Sequence, residues 1–220
     1  MALKKIVTKI HEKTKRNYLA RMVLEKKKNM KISKKYGYQY WDGNRKYGYG
    51  GFKYIPGHLT SIAKKLIKTY KLNNKSKILD VGCGKGFLLF EIKKLLPGIG
   101  ITGFDISSYA IKNCKKEIKN NLYKFDLRKK LPFKNKEFDL VISINVLHNL
   151  KNYELFKILP NLNKISKKKF IVVESYRNEN ELFNLQCWAL TCETFLSKKE
   201  WEWMFKNFGY NGDFEFIYFK

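Results

Sequence analysis

Residues 78–86 of this 220-residue chain read Ile-Leu-Asp-Val-Gly-Cys-Gly-Lys-Gly, an apolar run that breaks into three alternate glycines. No other stretch restricts the fold as strongly. Ile78, Leu79 and Val81 suit a strand covered on both faces, where continuous apolar sequence replaces alternation. Gly82, Gly84 and Gly86 let the backbone turn sharply and come close to a ligand, because no Cβ intervenes. A helix is expected to begin near Phe87. The spacing is Asp-x-Gly-x-Gly-x-Gly, whereas a dinucleotide fingerprint requires Gly-x-Gly-x-x-Gly, and position 87 is Phe. The turn therefore favours a nucleoside ligand without a pyrophosphate.

The next acidic residues fall at strand ends. Residues 99–104 predict a second strand ending in Asp105, twenty-five positions after Asp80. A carboxylate placed there can accept hydrogen bonds from both ribose hydroxyls. Residues 121–125 predict a short third strand ending in Asp126, and residues 138–143 a fourth that runs into Asn145-Val146-Leu147-His148. This ordered set, across residues 58–175, resembles the class I S-adenosylmethionine (SAM)-dependent methyltransferases, and among them the small-molecule type 11 group.

A helix is predicted at 58–70, with Ile62, Ala63, Leu66 and Ile67 on one face. Beyond the glycine turn, helices at 86–95, 108–119 and 153–165 alternate with the strands, and a fifth strand follows at 169–174. Such alternation gives an α/β fold, a Rossmann-like doubly wound and mostly parallel sheet of six or seven strands. Helices are expected at 180–192 and 197–207, the second capped by Ser197 with Glu200 three residues on, and a last strand at 214–219. The resemblance implies seven strands ending in an antiparallel hairpin, yet only one strand is legible after residue 207. That leaves either a partner strand from elsewhere or an unpaired edge that would invite dimerisation. Monomer and homodimer are both compatible with it.

Charge is the unusual quantity, with 46 basic against 19 acidic residues and a net +27. Such an excess suits nucleic acid or an anionic surface. It is nearly all Lys, however, with frequent Asn and scarce Ala, a composition that AT-rich coding produces without selection for binding. Arg, the better residue for bidentate phosphate contacts, is rare. Four scattered cysteines and three isolated histidines form no zinc pattern. No metal is expected, and reduced thiols fit a cytoplasmic protein. No signal-peptide core and no run of roughly 18 apolar residues is present, so no membrane partner is expected.

Residues 1–57 read as an N-terminal extension to a domain spanning 58–220. Residues 1–35 carry thirteen basic residues against Glu12 and Glu25. Tyr18, Leu19, Met22 and Val23 form a helical stripe expected to pack on the domain. Residues 36–54 hold eight aromatics and five glycines, and neither helix nor strand period fits them. They predict a lid that folds over cofactor and substrate through Tyr40, Trp41, Tyr47 and Tyr49. A plug of the core edge and a base-stacking surface are the other readings.

The resemblance implies SN2 methyl transfer from SAM to a small-molecule acceptor at N, O or C, leaving S-adenosylhomocysteine (SAH). Positioning would supply on the order of 7–11 kcal/mol of the barrier. On the same basis Asp105 would hold the ribose hydroxyls, with Ile106 beside it in the cofactor site. Gly82, Cys83 and Gly84 would line the methionine and adenosine. Asp80 would orient the turn or reach the methionine ammonium through water. Asp126 and Leu127 would meet the adenine, and Asn145 would lie over the cofactor. His148 is the candidate general base, its ordinary pKa of about 6.5 suiting proton removal near neutrality, or else a histidine that only packs beside the site. Glu174, Tyr176 and Arg177 would face the substrate. Arg177 could hold a carboxylate or phosphate, or pair with Glu179 or Glu181. Trp188, Phe195, Trp201, Trp203 and Phe205 are expected in the core.

Three alternatives stand beside this. A nucleic-acid (RNA or ribose) methyltransferase suits the charge, but Asn145-Val146-Leu147-His148 is not the Asn/Asp-Pro-Pro-Tyr/Phe used on base amino groups, and no Pro-Cys thiolate is present. A non-catalytic SAM-binding protein needs the same cofactor residues. A dinucleotide oxidoreductase is opposed by Phe87.

Overall fold

The apolar run before the glycine turn forms β1 (Lys77–Val81), and its Ile78, Leu79 and Val81 are fully buried. The protein is seen in a computed structural model that describes residues 1–12 and 16–220. Lys13 and Lys15 of the basic N-terminal stretch lie outside the described residues. Five more strands join β1: β2 (Gly100–Asp105), β3 (Leu122–Lys124), β4 (Phe138–Ile144), β5 (Ser166–Glu174) and β6 (Asp213–Ile217). Their order is β3-β2-β1-β4-β5-β6, and every neighbouring pair is parallel. Ile78 pairs with Ile101 on one side and Leu140 on the other. The chain reverses its direction of travel across the sheet at β1, which opens a crevice beyond the carboxyl ends of β1, β2 and β4.

The helices are α1 (Thr8–Glu12), α2 (Tyr18–Val23), α3 (Lys26–Ser33), α4 (Tyr38–Trp41), α5 (Thr60–Tyr70), α6 (Phe87–Leu95), α7 (Ser108–Lys112), α8 (Asn152–Ile165), α9 (Glu179–Trp188) and α10 (Lys198–Asn207). They cover both faces of the sheet. Leu66 of α5 and Leu89 and Ile92 of α6 pack with Ile78, Ile142 and Phe170. Leu155 and Leu159 of α8 and Trp201 and Phe205 of α10 pack with Leu79, Val141 and Ile171 on the other face. Full burial of each such side chain is worth about 1.5–3 kcal/mol.

The structure departs from the sequence reading in four places. The helix expected at 108–119 is α7 followed by a separate 3-10 turn at Lys116–Asn121, because Asn113 folds its side chain onto the Tyr109 carbonyl and Lys115 turns extended. Residues 36–54 contain α4 and a 3-10 turn at Arg45–Tyr47, each too short to leave a period in sequence. In α2 the apolar stripe does not pack inward: Leu19, Met22 and Val23 are 62%, 42% and 76% exposed. Tyr18 alone of that stripe meets the domain, edge-on to Trp188. Finally, no closing hairpin exists among the described residues. β6 runs parallel to β5, and its outer edge is not bare, since Leu3 bridges Phe214 in parallel. The buried Glu215 carboxylate accepts the N–H groups of Ile6, Val7 and Thr8 at 2.6, 2.9 and 2.6 Å, which fixes the start of α1.

Candidate active site

The end of β2 and the glycine turn are tied through Asp105. Its Oδ2 accepts from Gly84 N at 2.8 Å and its Oδ1 from Ser107 N at 2.8 Å. Burial raises the Asp105 pKa while these two N–H groups pull it down. Gly84 sits at φ +56, and a Cβ there would meet Trp41 Cη2 at 2.8 Å. A glycine is needed at this point for both conformation and clearance.

Two adjoining cavities open above the strand ends. One, of about 320 Å³, is lined by Asp105, Ile106, Asp126, Leu127 and Asn145. The other, of about 420 Å³, is lined by Asp80, Gly82, Cys83, Gly84, His148 and Glu174. Asn145 joins both, and it holds a left-handed φ of +60, a strain of order 1–3 kcal/mol for a non-glycine residue. Among the described residues the buried Oδ1 atoms of Asn145 and Asn149 find no hydrogen-bond partner. Orphaned acceptors of this kind call for a donor, and the ammonium and exocyclic amine of SAM are donors. With the Asp105 carboxylate at the end of β2 and the backbone of Gly82, Cys83 and Gly84 bordering the cavity, the residues fit that cofactor. Asp126 is engaged by Arg128, which forks onto it with Nε–Oδ1 at 2.9 Å and a terminal nitrogen on Oδ2 at 2.6 Å.

In the larger cavity burial dominates the electrostatics. It pushes Asp80 up to about 8, with Asp105 adding to the effect. Glu174 rises to about 7 through burial, opposed by Arg16 and Arg21. His148 falls to about 3 through burial, and His11 to about 4 through burial and the charges of Arg16 and His148. His148 Nδ1 accepts from Glu174 N at 3.2 Å, so its neutral ring carries the proton on Nε2, which lies 3.5 Å from Glu174 Oε2. Both ring nitrogens thus face Glu174, which with Asp80 is one of two carboxyl groups bordering the cavity with ionisation shifted toward neutrality, and the one of the two that His148 braces.

The aromatic segment covers these cavities. Trp41 is buried, donates Nε1–H to Ser107 Oγ at 2.9 Å and stacks on Tyr49 at 5.2 Å. Lys85, between Gly84 and Gly86 in the turn, places Nζ 2.6 Å from Asp42 Oδ2 and 2.8 Å from the Phe52 carbonyl. Tyr109 also donates to Asp42 at 2.7 Å. The hydroxyls of Tyr54 and Thr60 donate to the buried Glu91.

Tyr40, Trp41 and Tyr49 line both cavities. Tyr47, Tyr176 and Arg177 do not. Tyr47 lies beneath Lys46. The chain turns away after β5, so Tyr176 donates to Glu200 at 3.3 Å and Arg177 pairs with Glu181. Trp188 and Phe195 pack against the core as expected, Trp188 also bordering the larger cavity, and Trp201 and Phe205 are fully buried as expected, whereas Trp203 is 61% exposed. Sequence reasoning missed Lys85, Asp42, His11, Arg16 and Arg21. One signal was available, since Asp42 is the only acidic residue between Glu25 and Asp80. Among the described residues no group of three metal-ligating side chains gathers, and no helix is long and apolar enough to cross a membrane.

Fold and site together define the SAM-dependent methyltransferase class. Residues 72–209 match the family described as "Methyltransferase domain", and the chain belongs to it. It is 39% identical over 84 residues to the tRNA U34 carboxymethyltransferase of Nautilia profundicola, covering 36% of this chain and 27% of that one. It is 30% identical over 109 residues to an uncharacterized methyltransferase of Synechocystis, covering 49% and 50%. The chain thus spans about a quarter to a half of the length of these curated relatives. A SAM-dependent methyltransferase from Archaeoglobus fulgidus shares the fold, with TM-score 0.55, 23% identity and 69% and 67% of the two chains covered. So does geranyl diphosphate C-methyltransferase from Streptomyces coelicolor, with TM-score 0.53, 12% identity and 66% and 58% covered.

Proposed function

We propose that this protein transfers a methyl group from SAM to a small-molecule acceptor. The observation that carries the small-molecule reading is the roof over the 420 Å³ cavity. Trp41 and Tyr49 lie across the strand ends, and Asp42 bolts that roof to Lys85 in the glycine turn. The space has the size of a metabolite pocket, whereas a polymer would need an open groove. Residues 36–54 act as the lid, opening to exchange ligands.

A bound SAM supplies an electrophilic methyl group on a sulfonium, so the protein's task is to hold and orient. Asp105, already fixed by Gly84 N and Ser107 N, turns its remaining lone pairs to the ribose hydroxyls. Gly82, Cys83 and Gly84 line the methionine through backbone contact, and Asp80, Asn145 and Asn149 present acceptors to its ammonium. Leu127 and Ile106 flank the adenine, with Asp126 at its edge. Glu174 removes the proton of an O–H or N–H acceptor as the new bond to carbon forms, and His148 positions it. The general base expected at His148 therefore moves to Glu174.

The test is calorimetric titration with SAH, with Asp105→Ala alongside, followed by transfer of labelled methyl to a pool of small metabolites. Micromolar SAH binding abolished by Asp105→Ala, with label in a metabolite, supports the reading. Absence of SAH binding overturns it. A second reading, a nucleic-acid methyltransferase, is favoured by the +27 charge and by relatives named for tRNA and ribosomal RNA. Label entering RNA alone would select it.

A further inference from the structure

The chain has 41 Lys and only five Arg, and three of the five, Arg16, Arg21 and Arg45, line the 420 Å³ cavity. They converge on one ring, at 5.5, 4.3 and 5.2 Å from the centre of Trp188. The other two arginines, Arg128 and Arg177, are paired with Asp126 and Glu181. Among the described residues Arg21 and Arg45 form no ion pair with a carboxylate. They are instead braced by carbonyl oxygens. Arg21 donates from Nε to Trp188 O at 2.9 Å and from a terminal nitrogen to Arg45 O at 2.9 Å. Arg45 donates from one terminal nitrogen to Gly48 O at 2.7 Å and Tyr49 O at 3.0 Å.

Carbonyl braces orient a guanidinium without neutralising it, and each group keeps N–H donors for another acceptor. Like charges gathered on one ring repel. Burial and the neighbouring guanidinium together lower the pKa of both Arg21 and Arg45. An oxyanion would relieve that repulsion and match the planar fork. The cluster stands on α2, the aromatic segment and the end of α9, in the cavity that holds Glu174. Asp105 and Asp126 lie in the other cavity.

We propose that Arg21 and Arg45, with Arg16 beside them, hold a carboxylate or phosphate of the methyl acceptor against the face of Trp188, so that the acceptor is a small organic anion. This rests on the methyltransferase reading for the word acceptor, but the oxyanion site can be tested on its own. SAM carries a carboxylate too, so the experiment separates the two sources.

The full chain is titrated with phenyl phosphate and benzoate, with and without saturating SAH, and with benzyl alcohol and benzamide as neutral controls. SAH affinity is measured for wild type, Arg21→Met/Arg45→Met and the single variant Arg45→Met, whose more exposed position protects the fold. At least one anion should bind tenfold or more tighter than its neutral control. The double variant should lose that preference while changing SAH affinity less than threefold, and Arg45→Met should weaken the anion alone. Equal binding of anions and neutral controls overturns the proposal. So does a tenfold loss of SAH affinity in the variants, which would assign the guanidinium groups to the cofactor carboxylate. Displacement of phenyl phosphate by a short RNA would assign them to nucleic-acid phosphate and overturn the small acceptor. Anion binding without any SAH binding would keep the oxyanion site and remove the methyltransferase reading instead.

Discussion

Lys85 and Asp42 meet at 2.6 Å, with the lysine side chain 5% exposed, so the glycine turn and the segment roofing it are held by one nearly buried ion pair. Removing one partner of such a pair strands the other charge and costs about 3–5 kcal/mol. Lys85→Met should therefore lower Tm by roughly 6–20 °C on the scale for domains of this size. It should also speed tryptic cleavage after Lys46 and Lys53, which are already at the surface but lie on the segment the pair holds. Scanning calorimetry and limited proteolysis check this, and an unchanged Tm with intact residues 43–53 would count against the bolt.

Gly84→Ala forces a side chain into a left-handed position and against Trp41 Cη2 at 2.8 Å. SAH affinity should fall at least tenfold, about 1.4 kcal/mol. Because the obstruction is the indole, Gly84→Ala/Trp41→Leu should recover part of the loss. Calorimetric titration of the three proteins decides whether sterics or backbone strain dominates.

The pH dependence of stability separates Glu174 from the histidines. Glu174 titrates near 7 when folded against 4.5 as its ordinary value. Between those pH values the folded state holds the extra proton, so this group makes stability fall as pH rises. His148 and His11, lowered to about 3 and about 4, act in the opposite sense. Below 6.5 the unfolded chain takes up protons that the folded one refuses, so stability rises from about pH 3 to 6.5. Glu174→Gln removes only the first contribution. Relative to wild type it should gain about 1–3 kcal/mol between pH 5 and pH 8, read from urea denaturation at each pH. The rise of kcat/KM through pH 7 should vanish in the same variant.

Glu215→Gln should cost about 1.5–3 kcal/mol, since a charged acceptor of three N–H groups at the start of α1 becomes neutral. Tm should drop by several degrees, and acceptor binding should weaken with it because α1 carries His11 into the larger cavity.

Much of the sheet was legible because a doubly buried parallel strand writes itself as a mostly apolar run, as in residues 78–81 and 138–142, each broken by a single Asp, and because Asp105 sits where such a strand stops. The walls of the larger cavity were not legible. Arg21 and Trp188 are 167 residues apart, and nothing local distinguishes a cavity arginine from a solvated one. Arg177 shows the converse. Its neighbour Glu181, one helical turn on, claims it, a pairing visible in the i, i+4 spacing and weighed equally with a substrate role. Short helical turns such as Arg45–Tyr47 leave no period at all, so the aromatic segment could be read for composition but not for shape.

The contact between Glu215 and residues 6–8 spans more than two hundred positions, and it has a consequence in time. The larger cavity, where we propose the acceptor binds, draws a wall from α1, and the Glu215 bonds that seat α1 need β6 in the sheet. Contacts of such separation are made late, because the loop-closure cost precedes any gain. A chain still being synthesised could complete the glycine turn and the Asp105 side of the crevice well before it could hold an acceptor, so cofactor recognition should mature first and methyl-acceptor recognition last.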